Sequence, residues 1–438
     1  MSKRETTANQ AWQKLIEKYN IFNKIEKYGT VVIKASQIKE FREPRLMAKW
    51  DSSEVLPKIF KDNKINILPI SRSAYVLGNV NLYQPIGEFL GQHQKIKYMN
   101  MPPLESIDAE NINSEAIALN VMLISGILND FLSVEKNIAT FNGRMGTGDF
   151  KFYVDGFRGE KNNIFVSNAQ CEIDGGFEND ESVVILEAKN ITYTDFNIRQ
   201  LYYPYRLWSE RVKKPIRLIF SLYSNLIFHL FEYRFVEKNN YSSIVLLNQK
   251  NYSLQDTEIN MEDIKNIRLH TEIKTDDDQD KTDIPFVQAD SMGRIISLLE
   301  KLYSNPMTRQ QIAEFMNFEK RQADYYFSAG RYLGLFHKVQ DEDDNNKTLV
   351  LLTSLGERIF KMPYKHRQLS LVKQILEHKI FMEFFDKAFE CGEIAQINDI
   401  KKRMTELNVC KEAEIHRRAS SVRSWLKWIF DLVENENV

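Results

Sequence analysis

The chain has 438 residues, of which 43% are hydrophobic and 12% aromatic, and this composition excludes intrinsic disorder as its general state. At roughly 150 residues per domain, the length predicts about three domains. The 59 Lys and Arg residues nearly balance the 60 Asp and Glu residues, so the net charge of -1 neither favours nor excludes a nucleic-acid partner. Three cysteines without a CxxC pair argue against a disulfide framework and against a structural zinc site. With a polar start and no apolar stretch of about 18 residues, we expect a soluble, cytoplasmic protein without membrane association.

The first quarter of the chain is basic. Residues 1–107 contain 17 Lys and Arg residues against 10 Asp and Glu residues, which indicates that this region binds an acidic partner. One cluster of cations lies in FREPRLMAK (41–49), and a further arginine occupies the turn of a hairpin expected over residues 66–84. Arginine can pair with guanine edges or with phosphates. The candidates for contact with DNA are Arg42, Arg45, Lys49 and Arg72, although each alone is more typical of a phosphate or surface residue than of a base reader.

The middle of the chain alternates between helical and strand periodicity. A helix is expected over 114–131, followed by strands over 150–154, 164–173 and 182–189, a helix over 195–211 that Pro204 should kink, and strands over 216–222 and 226–235. The run Val183–Leu186 is continuously apolar, as in a central strand that is buried on both faces. The glycine-rich segment 141–150 is expected to form a turn, with Arg144 close to a phosphate.

Charged residues lie next to the apolar strand. Asp174 precedes a turn-rich insert, and Glu187-Ala188-Lys189 ends the strand, where alternation directs Glu187 and Lys189 to the same face. Charges at the end of an apolar strand require mutual compensation, a metal ion or solvent. Mg²⁺ fits best, because Asp174, Glu187 and the carbonyl of Ala188 would supply oxygen ligands and leave positions for water and a phosphate oxygen. Lys189 would orient or help to deprotonate that water. In isolation, Glu-x-Lys on a strand is more typical of a surface ion pair than of a metal site.

In this context the residues resemble the PD-(D/E)XK nuclease superfamily, with Asp174 for the motif's aspartate and Glu187-Ala188-Lys189 for its (D/E)XK. The core that the resemblance implies covers about residues 112–236. One departure is Ile173, where the motif has proline. The resemblance also implies an acidic residue on the preceding helix, for which Glu115 is available, and a glutamine on the following helix, for which Gln200 is available. Glu115 is also typical of a residue that complements the dipole of a helix N-terminus.

The acidic segment 271–284 has the composition of a linker, and the chain beyond it resembles a winged-helix domain. Helices are expected over 292–303, from the capping-box residue Thr308 through Phe315, and over 320–333, with strands over 336–339 and 349–352. The third helix would be the recognition helix, and its candidate DNA contacts are Arg321, Tyr325 and Arg331. The acidic residues Asp341–Asp344 in the wing would be repelled by phosphates, so a protein-contact role stays open.

The last part of the chain ends in a basic amphipathic segment. Residues 400–430 contain eight Lys and Arg residues and three Asp and Glu residues. The pattern over 414–430 resembles a second recognition helix, in which Arg417 and Arg418 would contact DNA. A solvated helix face above two core tryptophans is the alternative interpretation.

Together these features predict an α/β fold: a central mixed-sheet, restriction-endonuclease-like core flanked by a basic N-terminal region and C-terminal winged-helix and helix-turn-helix modules. The expected divisions are 1–107, 108–270, the linker 271–284, 285–364 and 365–438. The resemblance implies a type II restriction enzyme that hydrolyses double-stranded DNA at specific sequences with Mg²⁺, and a separately encoded cognate DNA methyltransferase. A homodimer stays open. The alternatives are a non-catalytic DNA-binding regulator and a repair-type nuclease on the same scaffold.

Overall fold

The computed structural model describes residues 8–86, 95–190, 193–274, 284–316, 320–340 and 347–433, which form a mixed α/β protein with one large mixed sheet and many helices. Most of the predicted linker, residues 275–283, lies outside the described residues. The same holds for the predicted wing residues Asp341–Asp344. Within the described ranges, no helix combines the length and the apolar composition that crossing a membrane requires.

The N-terminal part consists of short helices around a three-stranded antiparallel sheet of order β1-β3-β2. Its elements are α1 (Ala8–Tyr19), α2 (Ile21–Tyr28), β1 (Thr30–Lys34), α3 (Ala35–Lys39), α4 (Arg45–Ala48), α5 (Lys58–Asn63), β2 (Asn66–Pro69) and β3 (Ala74–Gly78). The predicted hairpin is confirmed as β2 and β3, with Arg72 in its turn. Trp12 is fully buried, and its indole N–H donates to the carbonyl oxygen of Met47 at 2.9 Å, which ties α1 to the end of α4.

The central part is built on a seven-stranded sheet of order β5-β14-β13-β12-β10-β9-β6. Its elements are β4 (Tyr83–Pro85), β5 (Ile96–Tyr98), α6 (Glu115–Ile124), α7 (Ile127–Leu132), β6 (Ile138–Gly146), β7 (Asp149–Asp155), β8 (Lys161–Ser167), β9 (Gln170–Glu178), β10 (Val183–Lys189), β11 (Asp195–Asn197), α8 (Arg199–Trp208), β12 (Ile216–Ser224), β13 (Ile227–Phe235), β14 (Ile244–Ser253) and α9 (Met261–Leu269). β10 runs parallel to β12 and antiparallel to β9, so α8 lies in the crossover between two parallel neighbours.

Helices and the N-terminal part cover the two faces of this sheet. One hydrophobic core joins α6 and α7 to one face, and another joins α8 and the N-terminal part to the opposite face. The run Val183–Leu186 is at most 2% exposed because β10 contributes alternate side chains to both cores. The prediction of a central strand that is buried on both faces is therefore confirmed.

Three predicted elements differ in detail. The helix expected over 114–131 is interrupted by Gly126, whose φ of 76° is left-handed, so α6 and α7 are separate helices. The helix expected over 195–211 begins only at Arg199, because residues 195–197 pair with β4 as a strand. The strand expected over 164–173 is two strands, β8 and β9.

The glycine-rich segment 141–150 was expected to be a turn, but only Thr147 and Gly148 connect two strands there, and the rest of the segment is extended. Residues 138–146 form β6, which pairs antiparallel with β9. The pairing register shifts between Phe141 and Gly143, and Gly143 has a φ of 91°. Glycine accommodates this irregularity at no steric cost, so Gly143 belongs to a bulged edge strand.

The C-terminal part is mainly helical with a small antiparallel sheet of order β15-β17-β16. Its elements are α10 (Met292–Ser304), β15 (Met307–Thr308), α11 (Arg309–Phe315), α12 (Lys320–Tyr332), β16 (Phe336–Gln340), β17 (Thr348–Leu352), α13 (Ser354–Phe360), α14 (Tyr364–Leu376), α15 (Lys379–Cys391), α16 (Ile397–Glu406) and α17 (Glu412–Asp431). The predicted capping box at Thr308 is confirmed, since its side chain accepts from the backbone N–H of Gln311 at 3.2 Å.

Candidate active site

The candidate site lies where β9 and β10 run side by side. Their last paired residues are Leu186 and Gly175, so Asp174 and Glu187 follow directly at the same end of the pair. The backbone N–H of Ala188 donates to Asp174 Oδ2 at 2.9 Å. This bond fixes the aspartate beside the strand that carries Glu187 and Lys189. The structure therefore brings together the three side chains that the motif singles out.

Glu187 is the most heavily contacted member of the site. Lys189 Nζ donates to Glu187 Oε1 at 2.5 Å, and Gln200 Nε2 on α8 donates to the same oxygen. The side chains of Glu187 and Lys189 are only 8% and 12% exposed. The surface-ion-pair interpretation does not describe this pair, because both charges are largely removed from water.

Burial and neighbouring charges shift the protonation equilibria of the site. Burial raises the pKa of the Glu187 carboxyl well above its usual range, and Asp174 adds to the rise while Lys189 opposes it. Burial acts to lower the pKa of Lys189, but Glu187, Asp51 and other nearby carboxylates outweigh it, and the pKa is raised. The site thus holds more negative charge than its one ammonium compensates.

Glu115 and Asp51 belong to the same electrostatic environment. Glu115 is the first residue of α6, and burial raises its pKa, with Lys189 lowering it and Asp174 raising it further. Asp51 comes from the N-terminal part, and its charge acts on Glu187, Lys189 and Glu115. One carboxylate oxygen of Asp51, Oδ1, is buried without a hydrogen-bond partner.

The groups of the site that could bind a metal ion are carboxylate and carbonyl oxygens, which are hard ligands. In the part of the chain that the structure describes, no three acidic, histidine or cysteine side chains are grouped as ligands of one metal ion. Mg²⁺ does not require such a group, because it is commonly held by one or two carboxylates together with waters and substrate phosphates. Asp174, Glu187 and the carbonyl of Ala188 suit that mode of binding. The unpartnered Asp51 Oδ1 and the excess negative charge also favour a divalent cation.

Two of the predicted DNA contacts meet next to the site. Glu172 lies two residues before Asp174 on β9 and interacts with Arg144 Nε at 3.3 Å and with Lys49 Nζ at 3.9 Å. Arg72 is exposed, and its guanidinium lies close to Gly146 at the end of the strand that carries Arg144. The basic side chains of two distant sequence segments therefore lie along one edge of the sheet.

The other two N-terminal candidates lie in the segment that leads to Lys49. Arg45 is exposed as the first residue of α4, whereas Arg42 is partly buried and its Nε has no hydrogen-bond partner. Neither makes a contact that links it to the carboxylates of the site in the described structure. Their role in binding DNA stays a prediction.

A second group of candidates lies on the C-terminal part. Arg321 Nε donates to the hydroxyl of Tyr325 at 2.7 Å, and the guanidinium of Arg417 lies 5.8 Å from the centre of the same ring. Residues of α12 and α17, which the sequence assigns to separate modules, thus form one arginine and tyrosine group, in which both arginines are exposed and Tyr325 is half-buried. Arg331 lies over the ring of Phe327 on α12, at 5.8 Å.

Arg418 is placed differently. Its side chain is 9% exposed and pairs with Glu414 at 2.9 Å, so it faces inward while Arg417 faces solvent. A buried guanidinium is not positioned to contact a phosphate, which corrects the expectation for this residue. The sequence spacing already indicated that Arg418 faces inward. Arg418 lies three residues after Ile415 and four before Val422, and both of these residues are on the apolar face of the helix.

Sequence reasoning missed Asp51 and Glu172. Glu172 had a local signal, since strand alternation puts it on the same side as Asp174. Asp51 had none, because it joins the site only through contacts between segments more than 100 residues apart. In the charge count of residues 1–107, Asp51 is one of ten acidic residues within a basic region.

Comparison with known families assigns no activity to the chain. Residues 9–77 match a Domain of unknown function (DUF6996), residues 78–253 a Domain of unknown function (DUF6997), and residues 294–434 a Domain of unknown function (DUF7226). The candidate site carboxylates Asp174 and Glu187 lie within the second match, and Asp51 lies within the first. No curated protein and no solved structure matches the chain.

Proposed function

We propose that this protein is a Mg²⁺-dependent endonuclease that hydrolyses double-stranded DNA at specific sequences, as type II restriction enzymes do. The observation that carries the proposal is the convergence of Asp174, Glu187 and Lys189 at the ends of adjacent strands, with Gln200 on the Glu187 carboxylate. The helix, the strands and the crossover helix around them support a restriction-endonuclease-like core. Neither feature alone would favour a nuclease over a structural ion pair.

The residues present fit a magnesium ion. Asp174, Glu187 and the carbonyl oxygen of Ala188 would hold it, and when bound it would lower the pKa of an attacking water and stabilise charge on the phosphate. Burial raises the pKa of Glu187 and the charge of Asp174 adds to the rise, and such a cation would compensate both carboxylates. It would also leave coordination positions for water and a phosphate oxygen.

Backbone and side-chain groups of this protein would have different roles in that reaction. The backbone N–H of Ala188 orients Asp174, and the Gln200 amide orients Glu187, so both carboxylates are held in place before substrate arrives. The Lys189 ammonium is positioned to orient the attacking water and to stabilise negative charge that develops on the phosphate. Glu115 would accept a proton or a water-mediated hydrogen bond at the edge of the site.

The basic residues favour DNA as the substrate. Lys49, Arg72 and Arg144 lie on the sheet edge that leads to Asp174, which suits the path of a phosphate backbone. The order of helix, strand, two helices and two strands from α10 to β17 supports a winged-helix module. The arginine and tyrosine group on α12 and α17 supplies a second surface for DNA. A homodimer and a separately encoded methyltransferase would complete such a restriction system.

The test is metal-dependent cleavage of a mixed-sequence plasmid by the purified full-length chain. Discrete fragments with Mg²⁺, and intact plasmid with EDTA, would support the proposal. Asp174→Ala should remove cleavage while binding to DNA persists, and Asp62→Ala, which removes an exposed carboxylate paired with Lys58, serves as the matched control. Cleavage by Asp174→Ala at close to the wild-type rate would contradict the assigned site.

The same gel separates the alternatives. Random fragments would indicate a repair-type or non-specific nuclease, and would contradict sequence specificity while retaining the site. Intact plasmid under all conditions, together with sequence-specific DNA binding, would indicate a non-catalytic regulator.

The free cysteines Cys171, Cys391 and Cys410 are compatible with the cytoplasm, where a restriction enzyme would meet foreign DNA.

A further inference from the structure

The strand that leads into the crossover helix α8 is bound by a segment of the N-terminal part, residues 50–53. Ser52 Oγ and Ser53 N donate to Asp195 Oδ1 at 2.6 and 2.8 Å, and the Ser53 hydroxyl donates to Asp195 Oδ2. Ser52 is fully buried, so the contact is partly shielded from water. Asp195 lies 143 residues after Ser52 and begins β11, so the contact joins the N-terminal part to β11.

The last residue of β11, Asn197, is tied to the same segment. Its backbone N–H donates to the carbonyl oxygen of Asp51 at 2.8 Å, and its side-chain Nδ2 donates to that of Trp50 at 3.2 Å. β11 also pairs with β4, but over three residues only and in a separate two-stranded sheet. Because a two-stranded pairing is marginal by itself, β11 depends on its contacts to residues 50–53 as well.

β11 leads directly into α8, which carries Gln200. The side chain of Asn197 accepts from the backbone N–H of Arg199, the first residue of α8, at 3.1 Å. Gln200 follows Arg199, and its Nε2 donates to Glu187 Oε1. Since a misplacement of about 1 Å can slow an enzymatic reaction about a hundredfold, the position of β11 matters for the candidate site.

We propose that Asp195 is a positioning residue for the candidate nuclease site: by binding Ser52 and Ser53 it fixes the start of α8 and keeps Gln200 against Glu187. This inference rests on the proposed nuclease function and deepens it, because the N-terminal part then completes the site as well as contacting DNA. Both carboxylate oxygens of Asp195 are used by the serines, so Asp195 acts through α8 and is not a ligand of the metal.

The first test compares Asp195→Ala with Asp195→Asn in single-turnover cleavage of plasmid by the full-length chain at saturating Mg²⁺. Asparagine keeps an oxygen that can accept from Ser52 and Ser53 but carries no charge, whereas alanine removes all three bonds. We expect Asp195→Ala to slow cleavage by at least about tenfold and Asp195→Asn to stay within about threefold of wild type. Equal losses would identify a role of the charge, and wild-type rates in both would exclude any role; either result overturns the proposal.

The Gln200→Ala background tests whether Asp195 acts through Gln200. If it does, the two substitutions are not additive, and adding Asp195→Ala should slow the Gln200→Ala variant by less than about threefold. A further tenfold loss would mean that Asp195 affects the site by another route, and would overturn the proposal.

The double variant Ser52→Ala, Ser53→Ala changes the contact from its other side and leaves Asp195 in place. It removes both hydroxyl donors and keeps the Ser53 backbone N–H. This variant should slow cleavage by at least about threefold, and it keeps the proposal testable if Asp195→Ala does not fold. A wild-type rate would contradict the proposed contact.

Asp290→Ala is the matched control, because it removes a similar bond in the C-terminal part, from Ser421 Oγ to Asp290 Oδ1 at 2.5 Å. Its single-turnover rate should stay within about threefold of wild type. A loss as large as that of Asp195→Ala would mean that general loosening of the protein explains the effect, and would overturn the specific role of Asp195.

Hydrogen exchange in the metal-free protein separates this inference from the nuclease proposal. The amides of Ile198 and Tyr202 donate to the carbonyl oxygens of Leu82 and Ile198 at 2.9 and 2.8 Å, so they report on the start of α8. Asp195→Ala should speed their exchange about tenfold, and Asp290→Ala by no more than about twofold. This difference in a protein that does not cleave DNA would reject the nuclease and retain Asp195 as the residue that holds α8. Unchanged exchange in Asp195→Ala would overturn the proposal even if the plasmid is cut.

Discussion

Two ion pairs that are largely removed from water have opposite character in this protein. In the C-terminal part, Arg367 is 2% exposed and its Nη1 contacts Glu300 at 3.1 Å, while Asn225 N donates to the other Glu300 oxygen at 3.3 Å. This pair therefore consists of one cation and one carboxylate. In the candidate site, Lys189 faces Glu187 with Asp51, Asp174 and Glu115 nearby.

The difference lies in charge balance and not in burial. Burial raises the pKa of Glu300, as it does for Glu187, but at Glu300 the arginine and the backbone N–H of Asn225 oppose the rise. At Glu187 a second carboxylate, Asp174, adds to it. A balanced pair stabilises the packing of α10 against α14, whereas an unbalanced cluster is suited to bind a cation. Excess charge of one sign therefore distinguishes the candidate site from a structural pair.

The largest expected effect is on catalysis. Glu187→Gln should slow Mg²⁺-dependent DNA cleavage by at least about a thousandfold, because the amide removes an anionic ligand. Glu300→Gln, an identical change in the other pair, should leave the rate within about threefold in single-turnover assays on folded protein. If both variants lose activity equally, the two pairs do not differ in function as the comparison requires.

The next effect is on stability. Arg367→Met should lower the free energy of unfolding by about 3 kcal/mol, because it leaves the Glu300 carboxylate uncompensated in a partly buried position. The double variant Arg367→Met, Glu300→Leu should regain most of that loss. Urea unfolding measures both. A double variant as unstable as the single one would show that packing of the Arg367 side chain, and not charge balance, matters here.

One buried histidine, His378, and one partly buried histidine, His229, predict a smaller, pH-dependent effect outside both pairs. Burial lowers the pKa of His378 to about 3, with Lys274 lowering it further and a hydrogen bond to the Tyr332 carbonyl opposing this, and burial lowers that of His229 to about 4. Because the unfolded histidines take up protons near pH 6.5 and the folded ones do not, the stabilisation is complete above that pH and is lost as pH falls from 6.5 towards 4 for His229 and towards 3 for His378. Each histidine should contribute about 1.4 kcal/mol per pH unit.

His378→Gln tests this expectation, since glutamine does not titrate in this range. Urea unfolding at a series of pH values should show a shallower loss of stability for the variant than for wild type below about pH 6. Parallel curves would mean that His378 is protonated in the folded protein. The candidate site is not involved, so DNA cleavage at neutral pH should be retained.

The smallest expected effect concerns two adjacent arginines. Arg417→Ala should weaken binding to all DNA sequences by a few fold and reduce the salt dependence of binding by about one unit, because it removes one phosphate contact. Arg418→Ala should leave that salt dependence unchanged, since the side chain is buried against Glu414. Binding isotherms over a salt series compare them. If neither variant changes the slope, the arginine and tyrosine group faces a protein partner instead.

Much of the local structure was predictable from the sequence. The apolar run 183–186 predicted a doubly buried strand, the Thr308 capping box predicted the start of α11, and the 66–84 segment predicted a hairpin. These signals succeed because strand alternation, helix capping and turn formation depend on residues that are close in sequence. The motif formed by Asp174 and Glu187-Ala188-Lys189 could be recognised in the sequence for the same reason. Its two parts lie on β9 and β10, which follow each other in the chain and pair with each other.

Local sequence patterns predicted the wrong secondary structure where pairing with a neighbouring strand determined the backbone conformation. Residues 141–146 contain glycines that suggest a turn, yet pairing with β9 makes them a strand. Residues 195–197 fit helical periodicity, yet pairing with β4 extends them. In both cases backbone hydrogen bonds to a partner strand outweigh an intrinsic preference of a few tenths of a kcal/mol to about 1 kcal/mol per residue.

The sequence by itself determined the residue types of the candidate site, the strand that presents them and the basic character of the first 107 residues. Only the tertiary structure decided that Asp51 joins the site, that Lys49 and Arg144 meet at Glu172, and that Arg321 and Arg417 share Tyr325. The reason is physical: charges interact through space over several ångströms, whatever their separation along the chain. Which charges become neighbours depends on the packing of the N-terminal part against α8 and the sheet, a result of the whole hydrophobic core.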